Sequence, residues 1–399
     1  MKESPFIKEL TSMLHDAPEI NLSQTDKIVI FSDLHIGNRG RRDDFLRNSS
    51  AFMHILEHYY LKNDYTLVLN GDIEELQKFS LKRIIAKWPD LYQLFQGFER
   101  KGSLYKISGN HDLELKFLNN PHLKTTIVKG LKLNYHGHQI AIFHGHQGSL
   151  IMERFYLLWK ILLRCIVNPV GIKNISYSHD NTLRFKTERR VYNFSRNHKI
   201  VSIIGHTHRP LFESMSKIDC LKFKIEQLCR DYSKASATIR QILAAKIQDY
   251  HQELQYLIKK NKSEDLRSSL YNSDLLVPCI FNSGCVIGKK GITAIEINGG
   301  NIALIHWFDR NKSQKYFDFN GYRPEQLDES DYFRVALKED NLDYIFTRIQ
   351  LLANLPPVGN RRHPFSILKP KVRLTSLKLK PDLSKNDVLT LKSTGSFKG

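Results

Sequence analysis

Residues 28–37 read IVIFSDLHIG, a run of apolar and β-branched side chains that gives way at once to polar residues. Such a run is a buried strand, and it delivers Asp33 and His35 at its C-terminal end, where α/β sheets place their ligands. Alternate residues of an extended chain point the same way, so the Asp33 carboxylate and the His35 imidazole can converge on one point, such as a metal ion.

The construction recurs along the chain. Residues 64–72 read DYTLVLNGD, a strand running into Gly71 and Asp72, and residues 104–112 read LYKISGNHD, ending in Gly109, Asn110, His111 and Asp112. Residues 139–146 (QIAIFHGH) and 200–208 (IVSIIGHTH) repeat the pattern with His144 and with His206 and His208. Each apolar strand ends in a short glycine-containing turn, and together the turns supply a compact set of oxygen and nitrogen ligands. A two-metal hydrolase needs a carboxylate shared by ions about 3.5–4 Å apart, terminal nitrogen and oxygen ligands, and a nucleophile generated at neutral pH. The sequence contains that list of groups.

Composition bounds the partners. The 399 residues, 41% hydrophobic and 11% aromatic, are enough for a substantial core. A formal net charge of +19 points to an anionic partner: a phosphorylated substrate, nucleic acid or an acidic membrane surface. The five cysteines are odd in number and lack metal-finger spacing, which fits a reduced, cytoplasmic compartment. No secretory signal is evident at the N-terminus. The most lipophilic stretch, 150–170, is broken by Glu153, Arg154, Lys160 and Arg164, so the expected protein is soluble, or peripheral at the inner membrane surface.

Outward from the motifs, residues 1–25 form a lead-in with a short helix. After the first motif, Arg39, Arg41 and Arg42 could clamp a phosphate or form a solvated basic turn. Arg209, directly after the fifth motif, joins them as a candidate substrate-binding residue. Helical spacing is expected over 45–61 and again over 74–97, while NYHGHQ resembles a hairpin tip carrying His136 and His138. An insertion at about 150–197 begins as an apolar helix edged by cations, either an outer layer or a lid for an amphiphilic anion. A second insertion, at about 216–272, keeps a three-four apolar spacing that predicts a long helix or helical hairpin, suited to packing or to self-association. Strands follow to about residue 310, the last two joined at Asn298-Gly299-Gly300 and expected to complete a second sheet. Residues 311–399 are set apart as a C-terminal extension, basic and flexible from about 355.

Asp33-x-His35, Gly71-Asp72, Gly109-Asn110-His111-Asp112, His144-Gly145 and Gly205-His206-Thr207-His208 resemble the five signature motifs of the calcineurin-like metallophosphoesterases over residues 26–310. The resemblance implies a four-layer α/β/β/α sandwich of two mixed β-sheets. It implies a hydrolase of phosphate esters that attacks phosphorus with a metal-bridging hydroxide. One divalent ion would be held by Asp33, His35, Asp72 and His208, the other by Asp72, Asn110, His144 and His206, with Asp72 bridging. His111 would protonate the leaving group, and Asp112 would orient His111. The donor mixture suits Mn²⁺, Fe or Zn²⁺, with Mn²⁺ expected to support activity.

Within that family the helical insertion before GHTHRP resembles the lid of the UDP-2,3-diacylglucosamine pyrophosphohydrolases, which act on a lipid-linked nucleotide. That branch typically carries arginine and aspartate where this chain has His111 and His146. Histidine at 111 is the pattern of broader phosphoesterases, including phosphodiesterases and nucleases that act on nucleic acid.

Overall fold

A computed structural model describes residues 5–117, 125–147, 181–214, 217–260, 277–317 and 322–353, all within one compact unit, Met1–Pro357. The chain opens with α1 (Pro5–Asp16) and β1 (Glu19–Asn21), then β2 (Lys27–Phe31), the strand that carries the first motif. A helical run follows, α2 (Ser49–Ile55), which continues as π-helix through Leu61. Next come β3 (Thr66–Asn70), α3 (Leu81–Lys87), α4 (Pro89–Arg100), β4 (Leu104–Ile107), β5 (Ile127–Val128), β6 (Gly130–Tyr135) and β7 (His138–Phe143). The remainder comprises α5 (Asn181–His198), β8 (Val201–Ile204), α6 (Lys217–Lys234), α7 (Ala237–Lys260) and β9 (Ile280–Asn282). It closes with β10 (Ile292–Asn298), β11 (Asn301–Asp309), β12 (Glu325–Gln326), β13 (Tyr332–Asn341) and α8 (Leu342–Ala353).

The strands form two mixed sheets. The larger has the order β12-β13-β11-β10-β2-β3-β4-β5, parallel from β2 to β5 and antiparallel elsewhere; the smaller has the order β1-β6-β7-β8-β9. Side chains alternate along each strand and so sort into layers. Val29 and Phe31 of β2 join Phe52, Trp88, Phe95 and Phe98 in a layer between the larger sheet and its helices. Ile28 and Ile30 face the other way and meet Ile140, Ile142, Val201 and Phe281 of the smaller sheet. Ala141, Phe143 and Ile204 then point outward against Phe6 and Leu10 of α1 and Val191 and Phe194 of α5. The chain is thus a four-layer α/β/β/α sandwich with two mixed sheets, as the motifs led us to expect.

Several elements fall differently from the sequence reading. The helix expected over 74–97 is split into α3 and α4 at Trp88, because the residue before Pro89 is sterically driven out of the helical region and sits at φ −127°, ψ 46°. The N-terminal lead-in is built into the sandwich, with α1 in the outer layer and β1 paired to β6. Strand β9 stays in the smaller sheet, whereas β10 and β11 cross to the larger one, so those three strands do not form a single sheet. The larger sheet also runs past residue 310: β13 pairs along β11, and Leu342, Ile345 and Phe346 of α8 enter the layer between the sheets.

The expected hairpins hold. Residues 136–137 and 299–300 form two-residue turns with positive φ at both positions, the geometry that matches strand twist. The 216–272 segment contains a helical pair, α6 packed on α7. Of the 150–197 insertion only α5 lies within the described residues; its apolar first half, and the chain beyond 353, lie outside them. Among the described residues no helix is long and apolar enough to cross a membrane.

Candidate metal centre

The motif residues sit where strands stop. Pairing of β2 with β3 ends at Phe31 and Leu69, and the two chains stay side by side through their turns: the Asp33 N–H donates to the Gly71 carbonyl at 3.1 Å and the His35 N–H to the Asp72 carbonyl at 3.0 Å. The fourth and fifth motifs are stitched likewise, with Gly205 N–H donating to the His144 carbonyl at 3.0 Å. His206 N–H then donates to Asp33 Oδ2 at 3.0 Å, which joins the first motif to the fifth.

Backbone conformation at these turns is unusual. Asp33, His35, Asp72, His206 and His208 all have φ between 49° and 63°, the left-handed region that residues with a Cβ enter at a cost of about 1–3 kcal/mol each. Such strain persists only where the surroundings over-determine it, and here it concentrates on predicted ligands. Glycine is required beside them: a Cβ on Gly109 would come within 2.2 Å of Asp72 N and Oδ1.

Two groups of predicted ligands result, beside a third cluster of possible donors formed by His35, Glu75 and His111. Ligand atoms of Asp33, His35 and His208 lie within 4.8 Å of one another, and so do those of Asp72, His144 and His206. His208 Nε2 is 3.0 Å from Asp33 Oδ1, and His144 Nε2 is 3.1 Å from Asp72 Oδ2. The far nitrogen of two imidazoles is held by the protein: His144 Nδ1 donates to the Asn70 carbonyl at 2.9 Å, and His35 Nδ1 lies 3.2 Å from Glu75 Oε2. Both rings therefore aim Nε2 inward, the arrangement that orients metal-binding histidines.

These residues fit divalent cations. Asp33 Oδ1, Asn110 Oδ1 and His144 Nε2 are buried and make no well-aligned hydrogen bond; the two oxygens have lone pairs to offer a cation, and His144 Nε2 would offer one on losing its proton. Asn110, the predicted ligand outside both triads, would contribute through its Oδ1. The donor set of carboxylate, amide and imidazole is one that divalent cations accept.

Electrostatics point the same way. Burial would raise the Asp33 carboxyl, but His208 and His144 outweigh it and hold the pKa at about 2. Burial would lower His144, yet Asp72 and Asp33 draw it up to about 10. His206 is pushed well below its ordinary value by burial, reinforced by His144, and so is a neutral imidazole ready to coordinate.

His111 is oriented by a residue that sequence reasoning missed. Its Nδ1 lies 2.9 Å from Glu75 Oε1, while its Nε2 faces the centre, 3.9 Å from Asp72 Oδ2. Burial opposes the charged ring, but Glu75 and Asp72 raise its pKa to about 9. Asp112, the expected orienting group, does something else: its two oxygens accept from the N–H groups of Ile73 at 2.7 Å and Gly109 at 2.6 Å. It fastens the Asp72 turn to the Asn110 turn. Glu75 stands three residues beyond Asp72, and that spacing was the available signal; it was absorbed into an expected helix.

The arginine turn, a phosphate clamp or a solvated basic turn by sequence, lies at the surface. The Arg39 guanidinium lies over Trp88, 4.1 Å from the ring centre, and pairs with Asp90 at 2.7 Å, so it braces α4. Arg41 and Arg42 are exposed. Arg209 is half-buried and ion-paired with Glu188 on α5.

No family model and no curated protein matches the chain. Among solved structures, a Vps29 single mutant from Entamoeba histolytica is 10% identical, with 72% of this chain and 94% of that one covered at a TM-score of 0.29. Vacuolar Protein Sorting 29 from Cryptosporidium parvum is 11% identical, with 79% and 98% covered and a TM-score of 0.31. At those values the likeness carries no argument, and the fold rests on the sheet order and layering described above.

Proposed function

We propose that the chain is a dinuclear-metal-dependent hydrolase of phosphate esters. The observation that carries this reading is the convergence of two ligand triads, Asp33–His35–His208 and Asp72–His144–His206, beside His111, whose Nδ1 is held by Glu75. Bound divalent ions would acidify water at neutral pH and neutralise charge developing on phosphoryl oxygens. The protein's own share is to fix the donors, among which Asp72 would serve both ions, and to supply a proton. His111, with Nδ1 held by Glu75 and Nε2 facing the centre, is placed to give a proton to the leaving oxygen.

Mn²⁺ is the ion expected to support turnover. The basic composition favours a strongly anionic substrate. The pyrophosphohydrolase reading, a lipid-linked nucleotide bound through 150–197 at a membrane surface, and the nuclease reading are its two specific forms. The purified protein, loaded with Mn²⁺, should be screened against an aryl phosphomonoester, an aryl phosphodiester, a nucleotide pyrophosphate and single-stranded DNA. Hydrolysis of at least one substrate that stops on dialysis against a chelator and returns with Mn²⁺ is expected. Activity that survives metal removal, or two bound ions with no hydrolysis of any of the four, would count against the proposal.

A further inference from the structure

Thr207 stands between His206 and His208, which belong to different ligand groups, and its hydroxyl is held from two sides. It donates to Glu188 Oε1 at 2.9 Å and accepts from Asn282 Nδ2 at 2.9 Å, and the same Asn282 nitrogen donates to the Gly205 carbonyl at 2.9 Å. Glu188 is fully buried on α5, and its other oxygen is paired with the guanidinium of Arg209. One carboxylate therefore grips the fifth motif at 207 and at 209, on either side of His208.

Docking of the helix alone does not require this arrangement. Val191 and Phe194 already anchor α5 in the outer layer, and Ser195 Oγ meets Ser202 Oγ of β8 at 2.7 Å. A buried carboxylate is costly unless its charge and lone pairs are compensated, and here the compensating groups are the residues flanking a ligand. His206 and His208 also hold left-handed backbone, a conformation that needs an external clamp.

Resting on the metal-centre reading above, we propose that Glu188 is a positioning residue for the metal centre. Through Thr207 and Arg209 it fixes the His206 and His208 imidazoles, so that α5 sets the affinity of both ion sites. The clamp acts on ligand geometry and takes no part in the chemistry.

The test compares the wild-type full chain with Glu188→Ala, Glu188→Gln and Thr207→Val. Mn²⁺ affinity and stoichiometry are read by calorimetry, ligand geometry by the visible spectrum of the Co²⁺-loaded protein, and folding by the melting temperature. Glu188→Ala should weaken both sites by about 10–100-fold, the usual effect of removing a group that orients a ligand, and should alter the Co²⁺ bands. Thr207→Val, which keeps the side-chain volume and the Arg209 pair, should act in the same direction. Glu188→Gln, whose amide oxygen still accepts from Thr207, should recover part of the loss. At saturating Mn²⁺, kcat for an aryl phosphate should fall while KM holds. A wild-type chain that binds two ions, together with unchanged affinity and spectra in Glu188→Ala and Thr207→Val, would overturn this proposal and leave the metal-centre reading standing. A wild-type chain that binds no divalent ion would overturn that reading and this proposal with it.

Discussion

Glu75 spans two histidines: Oε1 lies 2.9 Å from His111 Nδ1 and Oε2 lies 3.2 Å from His35 Nδ1. One buried carboxylate thus sets the orientation of the proposed acid and of a metal ligand together. Its own ionisation is secured, because burial is outweighed by His111 and His35 and the carboxyl is held well below its usual range.

That relationship fixes the pH dependence of turnover. His111 must be protonated to act as an acid, so activity should fall as pH rises through its pKa; in the metal-free chain burial opposes the charged ring and Glu75 and Asp72 raise that pKa to about 9, and cations bound at Asp72 would bring the limb lower. Glu75→Gln removes the charge that raises this pKa, and the alkaline limb of the kcat profile, recorded at saturating Mn²⁺, should move to lower pH. An alkaline limb that stays in place would show that His111 is not the group titrating.

His111→Asn should leave metal content near wild type and lower turnover by about 10²–10⁴, the usual contribution of a general acid. The deficit should shrink for esters whose leaving group needs no proton. A series of aryl phosphates of graded leaving-group pKa provides the check, and a constant deficit across the series would argue against proton donation.

Metal uptake should release protons. His144 is protonated at neutral pH, because Asp72 and Asp33 overcome burial and raise it to about 10, and a cation must displace that proton to reach Nε2. Mn²⁺ affinity should therefore rise with pH below about 10. Titration calorimetry in buffers of different ionisation enthalpy measures the release directly, and the result that contradicts the site is an apparent enthalpy independent of buffer.

Asp72 lies 3.1 Å from His144 Nε2 in its own ligand group, and its backbone carbonyl accepts from the N–H of His35, a member of the other, at 3.0 Å. Asp72→Asn should lose metal at both sites, whereas His208→Ala should lose mainly the ion held with Asp33 and His35. Elemental analysis that finds two ions in the Asp72→Asn protein would remove the shared carboxylate from the account.

Gly109→Ala should be destabilising by about 1–3 kcal/mol, the range for overpacking, because its Cβ would collide with the backbone nitrogen and the carboxylate of Asp72. The melting temperature and the Mn²⁺ affinity should fall together. Gly137→Ala makes a useful contrast: nothing lies within 4 Å of its Cβ, so only the strain of its φ of +81° remains.

Much of this site was legible because strand ends and ligands coincide. Each of the five motifs couples a short apolar, β-branched run, which its length and the turn after it mark as a strand, to ligands in the next few residues, so local sequence carried both facts. Glu75 was harder to read for the opposite reason: beyond its spacing from Asp72 it lies in a loop that mimics helix, and its partners are His35, forty residues away, and His111, thirty-six away. The role of Asp112 was misread on adjacency. A residue next to His111 in sequence points its carboxylate to backbone amides underneath, whereas a distant one reaches the ring. The fate of β10 and β13 was likewise hidden, since alternation reveals a strand without naming the sheet that accepts it.

The origin of the ligands has a mechanical consequence. Asp33, His35, Asp72 and Asn110 follow strands of the larger sheet, whereas His144, His206 and His208 follow strands of the smaller one. Any cation seated among them rivets the two halves across their seam, and its binding free energy is added to the resistance of that seam to opening. Hydrogen exchange in β2, β3, β7 and β8 should slow together on loading, far more than in the outer helices, so that the ions act as the last piece of the sandwich to be folded in.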